Sequence, residues 1–207
     1  MIEKFVRDFL ILWTTIDPVG TLAIFAALTG SMAPEARRRT ARTAITYSVA
    51  ILVGAIVIGQ ILLTAMGIQL VSLQVAGGII LFLFGLKMVF GSDLATAGGH
   101  PEPGHDVAVF PLAVPSIATP GAIMAVIVLT DNHVHSVPVQ LGTTLVMLAV
   151  LGVTYLFMLA SGPILKVIGS NGSAILVRVM GMILAALSIE LAMDALNLFE
   201  VVNAQAP

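Results

Sequence analysis

The chain has 207 residues, of which 58% are hydrophobic and 10% charged, where an ordinary soluble domain carries about 25% charged residues. This composition excludes a soluble globular domain, and a net charge of −2 with few basic residues excludes a nucleic-acid-binding surface. The chain contains no cysteine, which excludes disulfides, iron–sulfur clusters and cysteine-ligated zinc.

Six apolar stretches are long enough to cross a hydrocarbon layer, which takes about 20 helical residues. No charged residue occurs between Arg42 and Lys87, a stretch with room for two of them. We predict an all-α integral membrane protein that forms a single membrane domain over residues 1–207 and keeps its first span, without a cleaved signal peptide. The predicted spans cover residues 5–30, 44–66, 69–91, 109–131, 138–161 and 175–198.

The first span contains a helix-start signal in its middle. Asp17 is a good helix cap. Pro18 suits the first helical position because a backbone N–H there would have no partner within the helix. We therefore predict a broken transmembrane helix. Asp17 is the only acid that we place deep in this span, and acids are costly to bury in a membrane. Two roles stay open for it: a helix cap, or a group that pairs with an ammonium or carries a proton.

The basic residues predict the orientation of the chain. Seven of the nine Lys and Arg residues lie in or beside the first, third and fifth connections, and only Lys4 and Arg7 lie on the other side. By the positive-inside rule, these connections are cytoplasmic and both termini are outside. We place the first connection at residues 31–42 and the third, a long cytoplasmic loop rich in Gly and Pro, at about 92–108.

The fourth span repeats the signal of the first, because Thr119 is a helix cap followed directly by Pro120. The third and sixth spans also match, with QVAGGIIL at 74–81 and RVMGMILA at 178–185. Each repeat, at about 5–91 and 109–198, has an odd number of spans, so the second copy is inserted upside down. An inverted repeat with discontinuous helices 1 and 4 indicates a secondary transporter with its site near mid-membrane.

Small residues lie at helical spacing on single faces of three spans. Such faces let helix backbones approach closely. They would permit a homo-oligomer without requiring one. The residues are Ala50 and Gly54 in the second span, Gly78 and Gly85 in the third, and Gly181, Ala185 and Ser188 in the sixth.

Longer motifs resemble the MarC family, six-span membrane proteins of bacteria and archaea that are also called the neutral amino acid transporter (NAAT) family and are related to SnatA. The motifs are DPVG in the first span, FPLAVPSIATPGAI at 110–123, RVMGMILAALSIELAMDAL at 178–196 and AGGIILFLFGLKMVF at 76–90. The resemblance covers roughly residues 5–198. It implies a multi-pass protein of the cytoplasmic membrane that moves small neutral amino acids such as glycine, alanine or serine. Members often carry Asn at the position of Thr21, Gly at Thr119 and Gln at Glu190.

A zwitterionic amino acid needs N–H donors for its carboxylate and oxygen acceptors for its ammonium. The two half-helix N-termini offer unpaired N–H groups, and the carbonyls before each break offer acceptors. Small residues nearby would let a ligand touch the backbone. The predicted substrate-binding residues are Asp17, Pro18, Val19, Gly20, Thr21, Thr119, Pro120, Gly121 and Ala122.

Asp17 and Glu190 are the candidates for coupling transport to a proton or Na⁺. Asp194 shares a helix face with Glu190 near the outer end of the sixth span, where a solvated position is expected. One alternative function is an intramembrane enzyme that uses Asp17 and Glu190 as an acid pair. A second is a channel or a non-transporting membrane scaffold. Both breaks could also be proline kinks whose freed backbone groups are hydrogen-bonded locally by Ser, Thr or water, with no binding site between them.

We expect no chemical reaction and no cofactor, because the sequence has no Ser/His/Asp set and no phosphate loop. His100, His105 and Asp106 in the third connection are spaced too loosely for a metal site, so no metal is expected.

Overall fold

The computed structural model describes residues 2–90 and 106–196, and every regular element in these ranges is a helix. Four segments are long and apolar enough to cross a membrane: Ile2–Ala26, Pro34–Ala65, Val71–Phe90 and Val137–Ile164. A bent helix pair makes a fifth candidate if it counts as one span. The all-α membrane architecture is therefore confirmed. In chain order the helices are α1 (Ile2–Ile16), α2 (Pro18–Thr29), α3 (Pro34–Ala65), α4 (Leu70–Phe90), α5 (Ala108–Ile117), α6 (Pro120–Leu129) and α7 (Val137–Ala195).

The helix that contains the second span begins earlier than we predicted. We placed a connection at residues 31–42, but α3 starts at Pro34. Proline at the first helical position and Glu35 in the first turn both favour a helix start, and arginine is a good helix former. The prediction was wrong because charge marks where the apolar layer ends, and a helix can extend beyond that layer.

The predicted fifth and sixth spans are joined in α7, which has 59 residues and a kink at Gly169. Gly169 has φ 71° and ψ 172°, a conformation open to glycine because it has no Cβ. Before the kink, α7 contacts α1, where Gly142 lies against the ring of Phe5. After the kink, it packs against α4.

Small residues bring α4 and the second part of α7 together. A Cβ built on Gly85 would lie 2.8 Å from the Gly181 carbonyl oxygen and 2.9 Å from the Ala185 nitrogen. A Cβ on Gly78 would lie 2.9 Å from the Ser188 carbonyl oxygen. Only residues without bulk permit this approach, so the small-residue faces of the third and sixth spans are confirmed.

Among the described residues, no helix packs closely on the small-residue face of α3. Ala50 is exposed, and a Cβ on Gly54 would meet nothing within 4 Å. Small residues permit a close approach without causing one, so for this face the close approach stays a prediction.

The largest buried apolar cluster surrounds the two helix breaks, one between α1 and α2 and the other between α5 and α6. Its apolar side chains come from six helices and leave these four helix ends in the interior. Fully buried members include Leu12, Ile16, Phe25, Leu52, Leu112, Ile117, Ala122 and Met147.

Candidate functional site

The first helix break is a single residue, Asp17. Its φ of 50° and ψ of 72° lie in the left-handed region. Helical hydrogen bonds continue on both sides, because the Asp17 N–H donates to the Trp13 carbonyl and the Thr21 N–H donates to the Asp17 carbonyl, each at 3.0 Å. The Asp17 carboxylate accepts a hydrogen bond from the Gly20 N–H at 2.9 Å. The predicted cap is therefore confirmed, and the interruption lies within the segment Ile2–Ala26, which still counts as one span.

The second break lies between α5 and α6 and bends the chain by 54°. Helix α5 is irregular, since Phe110 and Val114, each followed by a proline, have extended backbone angles. The hydroxyl of Thr119 accepts a hydrogen bond from the Ala122 N–H at 2.8 Å and caps α6, with Pro120 at its first position. The predicted helix start is confirmed here as well.

The two breaks lie against each other in the interior. The Thr119 hydroxyl, besides capping α6, donates to the carbonyl of Thr15 in the last turn of α1 at 2.9 Å. The Thr21 hydroxyl lies 3.4 Å from both the carbonyl and the hydroxyl oxygen of Ser116. All four of these residues are buried. The fold thus brings together the predicted substrate-binding segments of the two halves.

Two of the predicted glycines contact other parts of the chain. A Cβ on Gly20 would lie 2.1 Å from Oδ2 of Asp17, and a Cβ on Gly121 would lie 2.1 Å from Cδ2 of Leu81 in α4. We expected these glycines to leave room for a ligand, but the space beside each is occupied by a side chain of the protein. Glycine at position 20 permits the Asp17 cap, and glycine at position 121 permits the close packing of α6 on α4.

A cavity of about 220 Å³ lies beside the second break, between α4 and α6. Pockets for drug-sized ligands are usually about 300–1,000 Å³, so this one suits a small ligand. Among the described residues that line it, Thr119 and Lys87 are polar, but the surface that faces the cavity is apolar. It is lined by Ile80, Leu81, Leu83, Phe84, Lys87, Pro115, Thr119, Pro120 and Gly121.

The two coupling candidates lie in different surroundings. Asp17 is 4% exposed, whereas Glu190 is exposed on α7. One turn beyond Glu190, Asp194 lies 3.6 Å from the guanidinium of Arg7, and both of these side chains are exposed, as expected for the outer end of a span. An acid pair needs both carboxyl groups to face one small space, and a buried acid with an exposed one does not provide that.

His100 and His105 lie outside the described residues. The carboxylate of Asp106 accepts a hydrogen bond from the Ala108 N–H at 2.9 Å. Within residues 2–90 and 106–196, no group of three or more His, Asp or Glu side chains is placed to hold a metal ion.

Sequence analysis missed a second buried acid in the first span. Asp8 is 1% exposed, and its carboxylate lies 2.6 Å from the ammonium of Lys4. The hydroxyl of Thr143 in α7 donates to the same carboxylate at 2.6 Å. The available signal was the spacing of Lys4 and Asp8, opposite charges one helical turn apart. Asp131, in the connection after α6, is also buried, and its carboxylate accepts a hydrogen bond from the His133 N–H at 2.9 Å.

Comparison with known proteins identifies the family. The model of the MarC family of integral membrane proteins matches residues 2–199. The chain belongs to the MarC family. The predicted resemblance is thereby confirmed over nearly the whole chain.

Similar MarC family relatives occur in archaea and bacteria. The chain is 31% identical to a UPF0056 membrane protein of Methanocaldococcus jannaschii, over 95% of this chain and 97% of the relative. It is 35% identical to a UPF0056 membrane protein of Archaeoglobus fulgidus, over 93% and 92%. It is 29% identical to the UPF0056 inner membrane protein YhgN of Escherichia coli, over 89% and 91%. No solved structure matches the chain significantly.

Proposed function

We propose that this MarC family protein is a secondary transporter that carries small neutral amino acids, such as glycine, alanine or serine, across the cytoplasmic membrane by alternating access. In this proposal, six transmembrane helices form two inverted three-helix repeats. The pairs α1–α2 and α5–α6 are the discontinuous first and fourth helices, and the Gly169 kink separates the fifth from the sixth. Transport is coupled to a proton or Na⁺ and involves no chemical reaction.

The contact between the two helix breaks carries this proposal. Each break leaves backbone N–H and C=O groups that need partners in a membrane interior without water. Thr119 satisfies the Thr15 carbonyl, and Thr21 approaches Ser116, so each break finds partners in the other half of the chain. In an amino acid zwitterion, an ammonium with three N–H donors and a carboxylate with two acceptor oxygens are attached to the same carbon. It can take over these bonds when the two halves separate.

The helix ends also match the two charges of the ligand. The N-termini of α2 and α6 each carry about half a positive charge, and because the Asp17 carboxylate already caps α2, the N-terminus of α6 is the one that favours the ligand carboxylate. The Thr15 carbonyl at the end of α1 belongs to a helix C-terminus, which favours an ammonium. Asp17, which is buried two residues further along the chain, adds a carboxylate acceptor.

The size of the cavity supports a small substrate. Its volume of about 220 Å³ and its wall of Ile80, Leu83 and Phe84 leave space for a hydrogen, a methyl group or a hydroxymethyl group. Leu81 closes the inner side of this space by its contact with Gly121, whereas Ile80 and Leu83 on the other side are exposed. We therefore expect glycine, alanine and serine to be preferred over leucine or phenylalanine.

Counterflow in proteoliposomes tests the proposal. Vesicles loaded with unlabelled glycine, alanine or serine should transiently accumulate the radiolabelled amino acid from outside, because a carrier exchanges its substrate and a channel only equilibrates it. Equilibration without accumulation would indicate a channel. Absence of flux for every neutral amino acid, with folded protein in the vesicles, would contradict transport.

A pair of variants then locates the site. Thr119→Val removes the hydroxyl that joins the two breaks, whereas Thr119→Ser keeps it. Losing a buried hydrogen-bond partner costs about 1–3 kcal/mol, so Thr119→Val should reduce the counterflow rate about tenfold or more. Thr119→Ser should stay close to the parent protein. Equal rates for the two variants would place the substrate elsewhere.

A further inference from the structure

A separate cavity lies at the N-terminal end of α3, away from the residues of the proposed transport site. Its volume is about 420 Å³. Among the described residues that line it, two arginines and a tyrosine supply the polar groups and none is acidic. The lining residues are Met32, Pro34, Arg37, Arg38, Tyr155 and Leu159.

Arg37 is held in place by three helices. Its guanidinium donates a hydrogen bond to the hydroxyl of Ser161 in α7 and lies 5.3 Å from the centre of the Phe25 ring in α2. A guanidinium that is already ordered loses little conformational entropy when it binds a ligand.

Neither arginine at this cavity forms an ion pair with an acidic side chain in the part of the chain that the structure describes. The ion pairs there use Lys4, Arg7 and His133. The Nε atom of Arg37 is buried and has no hydrogen-bond partner among the described residues. Arg37 is partly buried and Arg38 is exposed, so an anion in the cavity would gain charge-assisted hydrogen bonds from a guanidinium that no acidic side chain among the described residues already pairs with.

The start of α3 adds to the positive potential. Ala33 occupies the cap position and offers no side-chain oxygen, so the first N–H groups of this 32-residue helix have no side-chain cap. The positive end of the helix dipole adds to the charges of Arg37 and Arg38 in the first two turns, although Glu35 in the first turn, which does not line the cavity, offsets part of it.

We propose that this cavity binds the phosphate group of an anionic phospholipid. Arginine forms paired hydrogen bonds with phosphate oxygens, and the Tyr155 hydroxyl is a further donor. The predicted orientation places this end of α3 at the cytoplasmic face, where anionic lipids are concentrated and basic pockets between helices bind their head groups. Inorganic phosphate shares the same chemistry, so the experiment separates the two sources.

Thermal unfolding of the full chain in nanodiscs tests this site. Discs that contain phosphatidylglycerol should raise the Tm above that in pure phosphatidylcholine. Arg38→Gln should remove at least half of this increase, because Arg38 lines the cavity. The matched control is Arg39→Gln, which removes the same charge from the next residue, exposed like Arg38 but outside the cavity lining. This control should keep the full increase.

The remaining outcomes are also decisive. A similar increase from inorganic phosphate in phosphatidylcholine discs, lost in Arg38→Gln only, would support a phosphate site filled by a soluble ion and overturn the lipid assignment. Equal losses in Arg38→Gln and Arg39→Gln would show general charge attraction and overturn the site, as would equal Tm values in all discs. Native mass spectrometry of retained phosphatidylglycerol provides the same comparison if Arg38→Gln has a lower starting Tm.

Discussion

Asp17 combines two features that different substitutions separate. Its backbone lies in the left-handed region, which Asp and Asn tolerate better than other residues with a Cβ. Its carboxylate caps α2 through the Gly20 N–H. The cap and the backbone conformation depend on the shape of the side chain, whereas coupling to an ion would depend on its charge.

A series of substitutions at Asp17 tests the cap. Asp17→Asn keeps both features, Asp17→Gly keeps only the backbone freedom, and Asp17→Ala keeps neither. We expect the free energy of unfolding to fall in that order, with a loss of about 2 kcal/mol for Ala from the missing cap and the left-handed strain. Reversible unfolding in detergent measures these values. Equal stability of the Ala and Asn variants would show that the cap contributes nothing.

Asp17→Asn also tests coupling, because it removes the charge and keeps the cap. If Asp17 carries the coupling proton, the Asn variant should retain counterflow but lose accumulation driven by a pH gradient. Uptake of labelled alanine into proteoliposomes, with and without the gradient, makes the comparison. Should the variant still concentrate its substrate under the gradient, Asp17 would be a structural cap only.

At the scale of helices, the seam between α4 and α7 depends on glycine at the contact points. Backbone atoms of α7 lie within 2.9 Å of the position that a Cβ of residue 85 would take. The backbone of a helix cannot move aside as the end of a flexible side chain can. Helix association in lipid relies on this kind of close packing, because lipid tails are as apolar as the helices themselves. The seam is therefore the element contact most sensitive to added volume.

Gly85→Ala should destabilise the protein by about 1–3 kcal/mol through overpacking. Gly152→Ala in α7 is the matched control, because a Cβ there would meet nothing within 4 Å. The control should be neutral or slightly stabilising, since alanine is the better helix former. Unfolding of both variants in the same detergent gives the difference. Equal effects would show that α4 and α7 are further apart than described.

At the scale of the whole molecule, the orientation in the membrane is a prediction from the distribution of charge. The chain has no native cysteine, so single cysteines can report it without background. Ser31, between α2 and α3, and Ser136, before α7, are both exposed. With both termini outside, an impermeant maleimide on intact cells should label Ser136→Cys and leave Ser31→Cys unlabelled until the cells are opened. The reverse pattern would invert the orientation.

The sequence by itself determined the membrane class, the two helix starts, the third and sixth small-residue faces and the family. These signals are local, since apolar length, a cap before a proline and small residues one turn apart act within a single helix. The match of Asp17-Pro18 with Thr119-Pro120 also predicted the position of both breaks.

Only the tertiary structure decided which of these groups meet. The contact of Thr119 with Thr15, the burial of Asp8 beside Thr143 and the setting of Arg37 against Ser161 each join residues far apart in the chain. The local sequence pattern does not predict such pairs, because the burial of a residue depends on the neighbours that the fold places around it. The sequence offered Asp17 and Glu190 together as coupling candidates, and in the structure Asp17 is buried whereas Glu190 is exposed.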